Sequence, residues 1–126
     1  MPAAAAAAWG RLDILVNNAS AFAHTPLGTV TEEQWDFLLN TNLKGPFFCA
    51  QQAGSLMRRQ GNGVIINLID TGIYLAWPGY VPYLISKAGL EQMPGKLEIG
   101  QIVGISLWEK NGGMLISYGI AFLLIS

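Results

Sequence analysis

The sequence predicts an α/β fold whose core is a parallel sheet flanked by helices, with elements in the order strand, helix, strand, helix. Two short runs rich in aliphatic and β-branched residues, "LDILVNN" and "VIINL", predict strands buried on both faces, which are typical of parallel sheets. A helical pattern follows each run, and strands joined through helices form right-handed βαβ units. A chain of 126 residues is near the common size of one domain.

The first predicted helix has clear signals at both ends. Thr31 is a good N-cap and Gln34 stands three residues later, which together form a capping box. Apolar residues at helical spacing follow, and the glycines in 61–63 predict that the helix ends near Gln60. Pro46 should interrupt it, because proline has no backbone N–H to donate.

The second predicted helix begins near Pro82, which suits a first turn, and carries "YLISKAGLEQM". Pro94 and Gly95 then break the helical pattern, so the chain divides into an α/β domain over residues 1–93 and an apolar tail over residues 94–126. In the tail, "QIVGISL" predicts a third strand and "EKNGGM" a turn. The last apolar run fits a strand or a helix, so a strand pair and a strand plus helix both stay open.

Composition excludes several classes of function. The chain is 52% hydrophobic and 12% charged, and a net charge of -1 without a Lys/Arg cluster argues against nucleic-acid binding. Its single cysteine, Cys49, fits a reducing compartment, so we expect a cytoplasmic protein. With His24 as the single histidine, neither a metal cluster nor a Ser-His-Asp set is expected. The apolar C-terminal run is shorter than the ~20 residues that span a bilayer, so no membrane association is expected.

Tyr83 and Lys87 are the residues in the sequence that most directly suggest chemistry. Residues four apart share a helix face, and a nearby ammonium favours the phenolate and lowers the pKa of a tyrosine. Such a tyrosine can exchange a proton with an alcohol or carbonyl oxygen. The pair alone also occurs often by chance, and two ordinary helix residues would then be the simpler interpretation.

The surroundings of this pair favour a site. Ligands of open α/β sheets bind beyond the carboxyl ends of the strands. Asn17 and Asn18 end the first predicted strand, and Asp70 follows the second. These side chains should therefore gather near the start of the helix that carries Tyr83.

Together, "DILVNNAS", "NTNLKGPF", "GVIINLID" and "GYVPYLISKAGLEQM" resemble the short-chain dehydrogenase/reductase family over residues 3–93. The resemblance implies that residues 1–93 are a partial oxidoreductase domain with an incomplete Rossmann-like parallel sheet, which lacks the N-terminal glycine-rich βαβ half. It also implies a nicotinamide cofactor and hydride transfer to or from a small-molecule substrate. It implies that Tyr83 is the catalytic acid/base and that Lys87 is its pKa-lowering partner and the contact to the nicotinamide ribose. It also implies that Asn42 belongs to a proton relay. The turn Asn17, Asn18 and Ala19 would support the sheet and lie along the cofactor.

Pro46 suggests a physical role for Asn42. Proline cannot donate to the carbonyl four residues back, and that carbonyl belongs to Asn42. We hypothesise that the free carbonyl holds a water that leads toward Lys87. A simple packing kink is the alternative.

Asp70 departs from the family pattern, in which a serine stands thirteen residues before the tyrosine. A carboxylate accepts hydrogen bonds and opposes formation of a nearby phenolate, so it suits a substrate with N–H groups. With Ser20 in the turn, this feature is similar to the pteridine reductase branch. Phe22 would then stack a flat pterin, or would simply be packed on the core. Thr71 could supply a hydroxyl instead, which keeps a general carbonyl/alcohol oxidoreductase as an alternative.

The glycine-rich turn that binds the cofactor pyrophosphate is absent before Asp13, so the sequence has the character of a chain entered midway. For the parent protein we expect NADP(H) in preference to NAD(H), and the resemblance implies a homo-oligomer. For this chain itself, a catalytically inactive fragment that acts only through association is a further alternative, because strands that should be central would stand at a sheet edge.

Overall fold

The computed structural model describes residues 1–93, 101–106 and 117–122. Four strands form one sheet in the order β1-β2-β3-β4: Ile14–Asn17, Val64–Ile69, Gln101–Ser106 and Ser117–Phe122. β1, β2 and β3 are parallel, and β4 is antiparallel to β3. The predicted α/β class is confirmed, and β1 to β3 form the predicted parallel sheet. The predicted turn "EKNGGM" lies outside the described residues.

The prediction that both strands are buried on both faces is wrong for β1. β1 lies at the edge of the sheet, and its Ile14 and Val16 side chains are exposed, whereas Asn17 on the opposite face is buried. In β2, Ile65, Asn67 and Ile69 are buried and the alternate residues are half-buried. The difference arises because burial of a strand depends on what covers each face, which the aliphatic composition of the run does not specify.

The long helical segment between β1 and β2 consists of α2, Glu32–Leu39, a π-helical turn at Asn40–Lys44, and α3, Gly45–Gln60. Its capping box is confirmed: the Gln34 N–H donates to Thr31 Oγ1 over 3.2 Å, and the Thr31 N–H donates to Gln34 Oε1 over 3.0 Å. The predicted interruption at Pro46 takes the form of the π turn, in which the Gly45 N–H donates to the Asn40 carbonyl. The C-cap Gly61 is left-handed, with φ 85°, where glycine avoids strain.

Helix α4, Val81–Gln92, carries Tyr83 and Lys87 and has Pro82 in its first turn, as predicted. Two short 3₁₀ turns, Thr71–Tyr74 and Pro78–Tyr80, lead from β2 into it. At the N-terminus, the alanine-rich helix α1, Pro2–Trp9, lies against α3, where the Ala3 N–H meets Gln52 Oε1 at 3.4 Å. In the part of the chain that the structure describes, no helix is long and apolar enough to cross a membrane.

Two apolar clusters hold the site in place. The larger joins α3, β2 and α4 and is formed by Ala50, Ala53, Met57, Ile65, Ile69, Leu90 and Met93. The smaller lies beneath the β1–α2 loop and contains Ala21, Leu38 and Tyr83. Because Tyr83 is itself a member of a core cluster, its ring position is fixed by packing as well as by hydrogen bonds.

Candidate active site

The site lies where β1 and β2 end and α4 begins. Asp70 follows the last residue of β2, and Tyr83 and Lys87 occupy one face of α4 directly beside it. All three side chains are buried. The position beyond the carboxyl ends of parallel strands is where open α/β sheets bind their ligands.

Asp70 and Tyr83 form the central hydrogen bond of the site. The Tyr83 hydroxyl donates to Asp70 Oδ2 over 2.6 Å, and the Gly72 N–H donates to Asp70 Oδ1 over 2.7 Å. Asp70 is 8% exposed and Tyr83 is 6% exposed, so water competes weakly for this bond. A hydrogen bond to a charged acceptor in such surroundings is stronger than one between neutral groups.

Burial raises the pKa of the Tyr83 phenol above its usual value, and the hydrogen bond to Asp70 and the charge of that carboxylate raise it further. The Ser20 hydroxyl makes the last and smallest contribution, which lowers the pKa. The expectation that Lys87 would lower this pKa is therefore wrong for the structure. The opposing effect expected of Asp70 is present, and at neutral pH Tyr83 is a neutral hydroxyl that carries its proton.

Lys87 holds its ammonium group beneath the tyrosine ring. Its Nζ donates to the Leu68 carbonyl over 3.0 Å and lies 5.9 Å from the centroid of the Tyr83 ring. Burial lowers the pKa of Lys87, and the charge of Asp70 acts in the opposite direction. An ammonium has three N–H donors, and Leu68 is the partner found among the described residues. The remaining donors could bind acceptor groups of a ligand, such as the hydroxyl groups of a ribose.

Asn42 serves as a buried connector between three segments. Its Oδ1 accepts from the Ala21 N–H over 2.6 Å, and its Nδ2 donates to the Ala21 carbonyl over 2.8 Å and to Ser86 Oγ over 3.0 Å. Ser86 in turn donates to the Tyr83 carbonyl over 2.6 Å. The side-chain amide is thus fully occupied in fixing the loop and α4. Any role in a proton relay would belong to the backbone carbonyl of Asn42.

The turn after β1 divides into a buried and an exposed part. Asn17 Nδ2 donates to Asn67 Oδ1 over 2.8 Å, which ties the end of β1 to β2. Asn18 and Ala19 are exposed and line a groove of about 440 Å³ beside β1 and Pro46. Asn17 therefore supports the sheet, and Asn18 with Ala19 provides surface that a cofactor could lie along.

The site also contains Tyr80, an aromatic residue that the sequence analysis did not single out. The Phe22 ring is stacked on Tyr80, with centroids 4.7 Å apart, and meets Tyr83 edge-on at 4.8 Å. Phe22 is 57% exposed, so its placement fits both substrate stacking and loop packing. No local sequence signal identifies Tyr80, because its partner lies in a different loop. The Thr71 side chain lies outside the part of the chain that the structure describes.

The parallel sheet with helices packed on it, and a candidate site at the ends of its strands, defines a Rossmann-like α/β domain. Residues 1–96 match the family described as enoyl-(acyl carrier protein) reductase. The 3-oxoacyl-(acyl-carrier-protein) reductase FabG of Staphylococcus aureus is 43% identical over 82 residues, which are 65% of this chain and 33% of that protein. The chain belongs to the short-chain dehydrogenase/reductase family.

Solved structures agree with this assignment. Acetoin dehydrogenase YohF from Salmonella typhimurium matches with a TM-score of 0.69 and 30% identity, over 74% of this chain and 37% of that one. A metagenomic short-chain oxidoreductase in complex with NADP matches with a TM-score of 0.75 and 26% identity, over 83% of this chain and 51% of that one. The chain spans about a third of the length of the curated relatives it matches.

Proposed function

We propose that this chain carries the proton-transfer end of an NAD(P)H-dependent reductase site, with Tyr83 as the proton donor. The observation that carries the proposal is the buried Tyr83 hydroxyl, held 2.6 Å from Asp70, with the ammonium of Lys87 5.9 Å from the centroid of the same ring. The likeness to short-chain oxidoreductases over residues 1–96 supports it.

The raised pKa of Tyr83 keeps the acid loaded with its proton over the whole neutral range. When bound, the nicotinamide supplies the hydride that reduces the substrate carbon. Tyr83 donates its proton to the substrate oxygen or nitrogen that gains electron density, by turning its O–H away from Asp70. The high pKa then favours return of a proton to the phenolate. We propose that the backbone carbonyl of Asn42, to which Pro46 has no N–H to donate, accepts a hydrogen bond from a water that returns this proton.

Lys87 and the turn at Asn18 and Ala19 are the residues that would hold the nicotinamide and its ribose. Lys87 presents donors to ribose hydroxyls from a fixed position, because its Nζ is anchored on the Leu68 carbonyl. The glycine-rich turn that would bind the pyrophosphate has no counterpart in the sequence before Asp13. We propose NADP(H) in preference to NAD(H), in line with the NADP complex of one structural relative.

For the substrate we propose a flat heterocycle with N–H groups, such as a pterin. Each carboxylate oxygen of Asp70 accepts one bond, from Tyr83 or from Gly72, and keeps a further lone pair for a substrate N–H. The exposed ring of Phe22 stands edge-on to Tyr83 at the same place. A plain carbonyl or alcohol substrate is the second candidate, favoured by relatives whose names specify an oxoacyl group and acetoin.

The substrate class is tested by turnover of NADPH with a dihydropterin and with a simple ketone. Asp70→Ser should lower the turnover of the dihydropterin more than that of the ketone, because the serine presents one hydroxyl in place of two carboxylate oxygens. Tyr83→Phe should lower both turnovers alike and serves as the matched control. Equal losses in Asp70→Ser, or no turnover of the pterin by the unaltered chain, would refute the pterin assignment.

Association without catalysis is a second candidate function, and the free edge of β1 favours it. In the described sheet, β1 pairs with β2 on one side, and its Ile14 and Val16 side chains are exposed. An apolar edge strand is a template for pairing with another chain, here a second copy. Sedimentation should then show a dimer that Val16→Lys weakens and Leu27→Lys, at an exposed loop position, does not. A monomer at all concentrations would refute it.

A further inference from the structure

The β1–α2 loop and the β2–α4 loop meet directly beside the candidate active site. The Thr25 N–H donates to the Gly79 carbonyl over 2.7 Å. The approach is so close that a Cβ atom added to Gly79 would lie 2.5 Å from His24 Nε2. The rings of His24 and Tyr80 are 5.3 Å apart. The two loops therefore form one unit around Tyr80.

Tyr80 occupies a helix position for which its side chain is poorly suited. It is the N-cap of α4, where Ser, Thr, Asp or Asn would satisfy a free backbone N–H, and its side chain makes no capping hydrogen bond. Its ring instead packs against the cluster of Ala21, Leu38 and Tyr83. The side chain thus contributes to contacts between the loops and not to the helix end.

The aromatic contacts lead from Tyr80 through Phe22 to Tyr83. Tyr80 covers one face of Phe22 in a stack with an interplanar angle of 12°. The Phe22 ring then meets the Tyr83 ring at 89°. Offset stacks and edge-to-face pairs are the favoured geometries of aromatic rings, so each contact stabilises the next. Without Tyr80, Phe22 would lose the stacked ring that fixes its orientation toward Tyr83.

We propose that Tyr80 is a positioning residue that fixes Phe22 and so, together with the core packing and the hydrogen bond to Asp70, orients the ring of Tyr83 for proton transfer. The proposal rests on the function assigned above to Tyr83. Tyr80 acts by its ring, since the stack needs a flat surface and not a hydroxyl. Tyr80→Phe should therefore preserve the geometry, and Tyr80→Leu should disturb it.

The geometry is tested in the full chain by NMR, without any need for activity. Cross-peaks between the Phe22 and Tyr83 rings should be as strong in Tyr80→Phe as in the unaltered chain, and should weaken or vanish in Tyr80→Leu. Phe37→Leu is the matched control, because it removes another ring that is 57% exposed, from α2, and should leave the cross-peaks unchanged. Undiminished cross-peaks in a folded Tyr80→Leu would overturn the proposal, and so would their loss in Tyr80→Phe.

Turnover measures the consequence for catalysis. The free energy that one aromatic pair contributes corresponds to a change in rate of about two- to tenfold. We expect kcat to fall by this factor in Tyr80→Leu and to stay at its original value in Tyr80→Phe. A loss confined to KM, or equal losses in both variants, would contradict a positioning role. If the unaltered chain shows no reductase activity, the proposed function fails, and the NMR experiment still decides whether Tyr80 holds the two rings.

Discussion

Replacing Tyr83 with Phe removes the hydroxyl that donates to Asp70 and leaves a carboxylate that is 8% exposed with one protein partner fewer. A hydrogen bond to a charged group contributes about 1.5–3 kcal/mol to stability. We expect a coupling free energy of that size between Tyr83→Phe and Asp70→Ala in a double-mutant cycle. The cycle is needed because each single variant also leaves its former partner unsatisfied.

The chain contains a matched control with the same chemistry in solvent. The Tyr74 hydroxyl donates to Glu91, and Tyr74 is 67% exposed. Because water competes for both groups, the coupling between Tyr74→Phe and Glu91→Ala should be about 0.5 kcal/mol or less. Comparing the two cycles separates the effect of burial from that of the tyrosine–carboxylate bond itself.

Urea unfolding of the single and double variants gives both coupling free energies from the midpoints and slopes. A coupling for Tyr83 and Asp70 no larger than that for Tyr74 and Glu91 would show that the buried bond is not the energetic centre of the site. That result would also remove the reason for a strong effect of Asp70 on the proton of Tyr83.

Three further predictions concern pH, capping and burial. The pKa of Tyr83 is higher in the folded than in the unfolded chain, so its contribution to stability is complete below pH ~10 and is lost at higher pH. Above that pH, the urea midpoint of the unaltered chain should fall more steeply than that of Tyr83→Phe. Thr31→Ala should cost about 1 kcal/mol through loss of the capping box, and Thr29→Ala clearly less, by the same assay. Asn42→Ala should cost about 2–4 kcal/mol, because Ala21 and Ser86 lose buried partners, and an unchanged thermal midpoint would contradict this.

Local sequence signals correctly predicted the helix ends and the residues that share a helix face, because these depend on residues close together in the sequence. Thr31 and Gln34 form the expected capping box, and Gly61 ends α3 in a left-handed conformation. The spacing of Tyr83 and Lys87 placed both on one face of α4. In each case the interacting residues are within four positions of one another, so the helix geometry alone brings them together.

Contacts between segments that are distant in the sequence could not be predicted from such local signals. The Asn42 amide joins Ala21 to Ser86, and the Phe22 ring lies on Tyr80, across loops that only the folded sheet brings together. The same limit explains the error about the pKa of Tyr83. Sequence spacing placed a cation nearby, but the pKa is governed first by burial and then by Asp70, which depend on packing.

The central claim, that this chain assembles the proton-transfer and ribose end of a reductase site, is tested most directly by titration with reduced nicotinamide mononucleotide. This molecule carries the nicotinamide and its ribose without the adenosine half of NADPH. We predict saturable quenching of tryptophan fluorescence, with similar affinity for both molecules, and its loss in Lys87→Met but not in the surface control Lys44→Met. Absence of saturation with either molecule, or equal binding by Lys87→Met, would contradict the account.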